Sequence, residues 1–324
     1  MVFLTFRWFT AMNKTNTASA TSVFVGVSVS SATLIALIWL LFGSFAGVVG
    51  DAFVKYFADA AGIQQYVFMR QLMVALMLLP FFAGQSKAKR SIRKPSLYLF
   101  RGVLVIIGSA GAVITLTSLS LATAHVVFYL APALTLLLAI LWLKEPLQGH
   151  RVWAVALCFF GVFIALEPSD MGWGVIAGVI AALTLAIFNL TSRFIPEETS
   201  SVSAQFWSAV FSLPLLGMLA VFDWREISWE LLYLAAGSAL GIGVYQLCCV
   251  FAYRRTEAGA IAIAEYSGLI FAALLGWYFF AETIGWQTVL GMCLIVLPIA
   301  WQTRAEYRKD KQRGTATALN YKQS

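Results

Sequence analysis

Charged residues are scarce in this chain of 324 residues: only 11% are Asp, Glu, Lys or Arg, whereas 60% are hydrophobic. Soluble domains carry about 25% charged residues, so the composition excludes a soluble fold. It predicts an all-α integral membrane protein instead. Spans of roughly twenty apolar residues joined by short connections use up almost the whole sequence. No room remains for a sizeable soluble catalytic domain.

Residues that commonly bind metals or form disulfides are also few. The two histidines, His125 and His150, do not form an H-E-x-x-H motif, and no Walker motif is present to bind ATP. The four cysteines include no CxxC pair and all fall within predicted spans: Cys158, Cys248, Cys249 and Cys293. We therefore expect no metal, no cofactor and no disulfide framework. The net charge of +7 comes from loops and the tail rather than from one face, so no nucleic-acid partner is expected.

Long apolar stretches recur along the chain and predict ten transmembrane helices. They cover roughly residues 33–57, 65–83, 97–117, 121–143, 151–167, 172–193, 202–222, 231–253, 258–280 and 286–302. Lys and Arg cluster after the second, fourth, eighth and tenth spans, most densely in KAKRSIRK at residues 87–94. Because cytoplasmic loops carry the excess of basic residues, we expect a multi-pass protein of the bacterial inner membrane with both termini in the cytoplasm.

The two halves of the chain share a pattern. Glu145 and Glu282 each follow a long apolar helix, and Lys55 and Arg193 end corresponding spans. We interpret the two glutamates, which lie at membrane boundaries, as capping or turn-forming charges. The predicted organisation is a segment 1–32, two five-helix repeats at 33–168 and 169–303, and a basic tail 304–324. An odd number of helices per half inverts the second repeat, as in many secondary transporters.

Two stretches carry a specific resemblance. The run TSLSLATAHVVFYLAPALTLLLAILWLKEPLQGHRVWAVALCFFGVFIAL places Pro132 inside a helix, Glu145 at its end and Gly161 in the next helix. The run AYRRTEAGAIAIAEYSGLIFAALLGWYFFAE repeats the pattern, with Leu269 in the place of Pro132. Both resemble the EamA-type repeat of the drug/metabolite transporter superfamily, over about residues 33–302. The resemblance implies that spans 1, 4, 6, 8 and 9 line a central cavity.

Glu265 interrupts the ninth span. A charge there is expensive, by about 2.5–3.5 kcal/mol on insertion scales, and by default marks a functional residue. It lies about 10 Å from the cytoplasmic end of its helix, where a carboxylate could bind a cationic group or take up a proton. The alternative is a structural hydrogen bond to a neighbouring helix. We predict that Glu265 binds substrate and couples transport to protons, with Tyr266 beside it.

Arg70 interrupts the second span near its outer end. It could attract anionic groups, but we interpret it as forming a structural ion pair with Asp51, which lies at a similar depth in the first span. His125, near the outer start of the fourth span, could titrate near neutral pH. A lone histidine is more often a packed or interfacial residue, and that is the interpretation adopted for it.

Several uncharged polar or aromatic residues fall within spans. Such groups commonly bond one helix to another, yet the resemblance places them on cavity-lining helices, where aromatic rings would stack on a planar or cationic solute. We predict that they bind substrate together with Glu265 and Tyr266: Trp39, Tyr129, Asn189, Tyr245 and Gln246.

The sequence thus predicts a secondary transporter that moves a small polar metabolite, resembling an amino acid, a vitamin or a nucleoside, by alternating access. Its energy would come from the proton gradient or from the gradient of the solute. An exporter of an amino-acid-derived metabolite or drug would use the same scaffold. An intramembrane enzyme, with Ser44 of GSFAG as nucleophile, and a membrane sensor are distant alternatives. The expected partners are the solute and the bilayer, and the expected state is a monomer or weak dimer.

Overall fold

The structure is a computed structural model that describes residues 31–56, 62–143, 149–166, 172–196, 198–222, 224–253 and 266–297. Regular structure within these ranges is helical throughout, as the composition predicts. The helices are Ser31–Lys55 (α1), Ile63–Ala83 (α2), Lys87–Arg90 (α3), Pro95–Ser118 (α4), Leu121–Phe128 (α5), Leu130–Leu143 (α6), Gly149–Ala165 (α7), Trp173–Thr191 (α8), Ser201–Val221 (α9), Trp229–Tyr253 (α10), Ser267–Phe280 (α11) and Trp286–Leu297 (α12).

Six helices are long and apolar enough to cross a membrane: α1, α2, α4, α8, α9 and α10. Shorter apolar helices lie within the predicted fourth, fifth, ninth and tenth spans. Large apolar side chains such as Phe163 and Trp277 are exposed on the outside of the bundle, which suits a surface covered by lipid. The all-α membrane fold is confirmed, whereas the count of ten complete spans stays a prediction.

The predicted fourth span is broken into α5 and α6 at Tyr129. The break has a covalent cause, because Pro132 lacks the N–H that would bond to the carbonyl of Phe128, four residues earlier. Phe128 is accordingly the last residue of α5. The sequence predicts a single helix over residues 121–143, and the structure corrects this to two helices that meet at Tyr129.

The contacts between helices are those expected if an approximate two-fold axis relates the two halves. The first span, α1, packs on the eighth, α10, and the third span, α4, packs on the sixth, α8. If each half is a five-helix repeat, these two contacts are equivalent. The second and seventh spans, α2 and α9, pack on each other, as equivalent helices beside the axis would. The packing therefore supports two repeats whose helices interlock at the centre of the bundle.

The contact between α1 and α10 is close enough to require glycine. A Cβ atom added to Gly241 would lie 2.5 Å from the carbonyl oxygen of Ala46 and 2.7 Å from the backbone nitrogen of Gly50. Small residues at such crossings let helix backbones approach in a membrane, where the hydrophobic effect does not drive helices together. The small-residue spacing Gly237/Gly241 thus sets the distance between the two helices that flank the candidate site.

A buried arginine, missed by the sequence analysis, joins three helices near the predicted cytoplasmic side. Arg101 of α4 is 0% exposed and donates hydrogen bonds to the Ser208 hydroxyl of α9, at 3.0 Å, and to the Phe188 carbonyl of α8, at 2.8 Å. It also donates to the hydroxyl of Thr191 at 2.8 Å. Because Phe188 and Thr191 lie in the last turn of α8, the guanidinium satisfies a terminal carbonyl and complements the negative end of the helix dipole.

Candidate functional site

A small pocket with a mostly apolar wall and a few polar groups lies between α1, α5, α10 and the start of α11. Its volume is about 40 Å³, enough for a few water molecules but far below the roughly 300–1,000 Å³ of pockets that hold small-molecule ligands. The described residues that line it come from both repeats: Ser44, Gly47, Val48, Asp51, His125, Phe128, Tyr129, Ile242, Tyr245 and Gly268.

The charged centre of the pocket is a contact between α1 and α5. Asp51 Oδ2 lies 3.3 Å from Nε2 of His125, and both side chains are largely buried. The contact lacks the alignment of a good hydrogen bond, and it becomes an ion pair only when the imidazole is protonated. His125, interpreted from the sequence as a packed residue, therefore lies in the pocket opposite a carboxylate.

Arg70 has a different partner from the one the sequence predicts. Its Nη2 atom donates a hydrogen bond of 2.7 Å to the Ser109 hydroxyl of α4, whereas the ion-pair contact of Asp51 is with His125. The predicted Arg70–Asp51 pair is thus replaced by two other contacts. The reason lies in the packing, because α1 packs mainly against α10 and α11, while α2 packs mainly against α9. Similar depth in the membrane does not bring the two side chains into direct contact, although the charge of Arg70 still acts on the Asp51 carboxylate at longer range.

Aromatic rings form one wall of the pocket. Tyr129 and Tyr245, both predicted to bind substrate, line it. The ring of Tyr266 packs behind Tyr129 with a centroid distance of 5.3 Å, and the ring of Phe128 lies 6.0 Å from that of His125. Tyrosine faces beside a carboxylate suit a ligand that combines a cationic group with an apolar or planar body.

The remaining predicted residues are not brought into the pocket by the described part of the chain. Trp39 lies on α1 and is 37% exposed, and Asn189 is half-buried on α8. Gln246 follows Tyr245 on α10, but its side chain is outside the described set, and Glu265 lies outside the described residues altogether. The substrate-binding roles of these residues and the proton-coupling role of Glu265 stay predictions.

Ser44 contributes a hydroxyl that the sequence analysis weighed only as a nucleophile. It is buried in the pocket wall, and its Oγ atom has no hydrogen-bond partner among the described residues. A hydrolytic serine needs a hydrogen bond to a histidine base, and Ser44 makes none to His125. No group of three or more metal-binding side chains occurs in the described ranges either. The pocket has the groups to bind a polar solute rather than to cleave one.

Comparisons with known proteins identify a family and a fold. The model of the EamA-like transporter family matches residues 34–166 and again residues 172–303. A solved crystal structure with 19% sequence identity superposes with a TM-score of 0.54, covering 86% of this chain and 98% of the other. At that identity the structural likeness shows the fold alone, and the family match comes from sequence.

Three relatives cover most of the chain. The S-adenosylmethionine uptake transporter of Rickettsia felis is 25% identical over 262 residues, which is 80% of this chain and 88% of the relative. The riboflavin transporter of Rhizobium johnstonii is 27% identical over 73% of this chain and 80% of its own length. The pseudopaline exporter of Pseudomonas aeruginosa is 23% identical over 78% of this chain and 90% of its own length. Their names include both uptake and export.

Proposed function

We propose, since the chain belongs to the EamA-like transporter family, that it moves a small cation-bearing metabolite across the membrane through the pocket at Asp51. The protein is a transporter of the drug/metabolite superfamily rather than an enzyme. The substrate class, the direction and the energy source are the proposed part. The observation that carries the proposal is a largely buried carboxylate in an aromatic pocket, lined by helices from both predicted repeats.

The position of the pocket supports alternating access. Inverted-repeat carriers bind substrate near the midplane where the halves meet and expose it to each side in turn. Here α1 and α5 come from one half and α10 and α11 from the other. A cavity of about 40 Å³ cannot hold a metabolite. The described helices therefore correspond to a contracted site, which must widen when one half rocks against the other.

Asp51 and the tyrosines give the pocket its selectivity. The carboxylate would bind an ammonium or another cationic centre, and the faces of Tyr129 and Tyr245 would add cation–π and stacking contacts. A substrate cation and the proton on His125 would compete for the same carboxylate. Such competition couples substrate binding to proton release, so the Asp51–His125 contact is a second candidate for proton coupling beside Glu265.

Counterflow in proteoliposomes tests the proposal, because only a carrier exchanges labelled solute for unlabelled. Purified protein is screened with labelled amino acids, vitamins and nucleosides, each class including cationic and neutral members. We expect exchange of a cationic solute, and we expect Asp51→Asn to lower its rate at least tenfold, since a hydrogen bond to a charged group contributes about 1.5–3 kcal/mol.

Glu198→Gln is the matched control, because it removes a carboxylate from an exposed ion pair with Arg93 and should leave exchange unchanged. Asp51→Asn protein that exchanges the solute at the wild-type rate would show that substrate binds elsewhere. The direction is read from the response to an imposed pH gradient with the acidic side outside the vesicles. A proton symporter then accumulates the solute inside, as an importer would, whereas a proton antiporter expels it, as an exporter would.

A further inference from the structure

Four helix ends meet at one ion pair outside the pocket. Lys55 Nζ, at the end of α1, lies 2.7 Å from Oε1 of Glu282, just beyond α11, and both side chains are only 14% exposed. Lys55 Nζ also donates hydrogen bonds to the carbonyls of Leu116 and Leu119 at the end of α4. Oε2 of Glu282 accepts a hydrogen bond of 2.7 Å from the backbone N–H of Leu121, the first residue of α5.

The backbone aims Glu282 at this position. Ala281 has the left-handed conformation, with φ 51° and ψ 30°, and the N–H of Glu282 bonds to the carbonyl of Gly276 at 3.1 Å. This C-terminal cap turns the chain back over α11. A side chain at position 276 would collide with the Glu282 carboxylate, so glycine there is required for the arrangement. The carboxylate also faces the positive end of the α5 dipole, which stabilises its charge.

The ion pair lies directly over the pocket. Lys55 follows Asp51 by four residues on α1, and His125 follows Leu121 by four residues on α5, so each pair is separated by one helical turn, about 6 Å. The Lys55–Glu282 contact is therefore one turn beyond the Asp51–His125 contact. The orientation predicted from the basic loops places this end of the bundle on the outer face.

Lys55 belongs to the first repeat and Glu282 to the second. The pocket and the ion pair share α1, α5 and the neighbourhood of α11, so a route from the pocket to the outer face between these helices would pass this pair. We infer that Lys55 and Glu282 form the outer gate of the pocket, closed in the structure, and that solute exchange with the outside requires their separation. This goes beyond the proposed function, because it assigns control of access to residues that do not line the pocket.

Cysteine accessibility tests the gate without any substrate. The four native cysteines are replaced, Ser44→Cys is introduced in the pocket wall, and membrane vesicles of either orientation are treated with a membrane-impermeant maleimide. Glu282→Gln should raise the labelling rate from the outer face about tenfold, which corresponds to about 1.4 kcal/mol in the gate equilibrium. Labelling from the cytoplasmic face should fall, because every molecule that opens to the outside is lost from the population that opens to the cytoplasm in alternating access.

Glu198→Gln again serves as the control, since the Arg93–Glu198 pair is 61% and 52% exposed and lies at the other end of the bundle. Its labelling should match the parent. Lys55→Met provides a second variant if Glu282→Gln does not fold. An unchanged labelling rate from the outer face would overturn the proposed gate. A labelling rate that rises from both faces would also overturn it, because it would show that the variant loosens the whole helix bundle. Because no substrate is used, this result is independent of whether Asp51 binds the solute.

Discussion

Replacing Gly241 by alanine should destabilise the protein, although alanine is the better helix former. The added Cβ would lie 2.5 Å from the Ala46 carbonyl oxygen, whereas ordinary contact begins at 3.4 Å. The atoms it meets are backbone atoms of α1, which cannot move aside as the end of a flexible side chain could. The two helices must therefore separate by roughly 0.9 Å, the difference between those distances.

The expected cost follows from two opposing effects. Overpacking of a close helix contact costs about 1–3 kcal/mol, and the helix preference of alanine over glycine returns at most about 1 kcal/mol. If the full 1 kcal/mol is returned, a net loss of about 0–2 kcal/mol remains, and the clash with backbone atoms favours the upper part of that range, about 1–2 kcal/mol. Ser44 and Gly47 lie on α1 and Tyr245 lies on α10, so separation of these helices also spreads the pocket. Transport should fall together with stability.

Thermal unfolding in detergent and counterflow in proteoliposomes measure the two effects. Gly217→Ala is the matched control, because it adds the same methyl group within a predicted span, at 3.5 Å from the Phe68 ring, which is ordinary contact. It should be neutral or slightly stabilising. A Gly241→Ala protein that melts at or above the temperature of the wild type and still transports would refute the close-packing argument.

Two further changes probe charged residues within the predicted spans. Arg101→Lys removes the forked donors that reach Ser208 and Phe188, so we expect a loss of about 1–3 kcal/mol, the cost of leaving buried groups unsatisfied; a lysine variant with an unchanged melting temperature would contradict this. Glu265→Gln should abolish the pH dependence of transport if Glu265 is the coupling carboxylate. If the pH dependence is instead retained in Glu265→Gln and lost in His125→Gln, coupling belongs to the Asp51–His125 contact.

Helix positions followed from hydrophobic length. Predictions at 65–83 and 33–57 correspond to helices Ile63–Ala83 and Ser31–Lys55, because a run of about twenty apolar residues is itself the requirement for spanning. The two-fold packing followed from the repeat. The break at Tyr129 could have been placed from Pro132, since the lost hydrogen bond involves the carbonyl four residues earlier, but the sequence alone does not show whether a helix bends there or ends.

The partners of charged residues could not be predicted in the same way. Depth along one helix follows from counting residues, and that count predicts similar levels for Arg70 and Asp51. The lateral neighbours of a helix depend on which helices pack together, and that arrangement brought His125 rather than Arg70 to Asp51. Nothing in the sequence of the fourth span indicated that His125 faces α1.

Glu282 shows how a local capping residue can acquire a role in the whole molecule. The sequence interpretation, a capping or turn-forming charge, agrees with the bond from Oε2 to the first N–H of α5. The other oxygen holds Lys55, and that contact depends on a left-handed alanine that no propensity rule favours. One carboxylate therefore caps a helix of the first repeat while belonging to the second. Any motion that separates the repeats must break both bonds together, so the same group that stabilises the closed outer face also sets the free energy needed to open it.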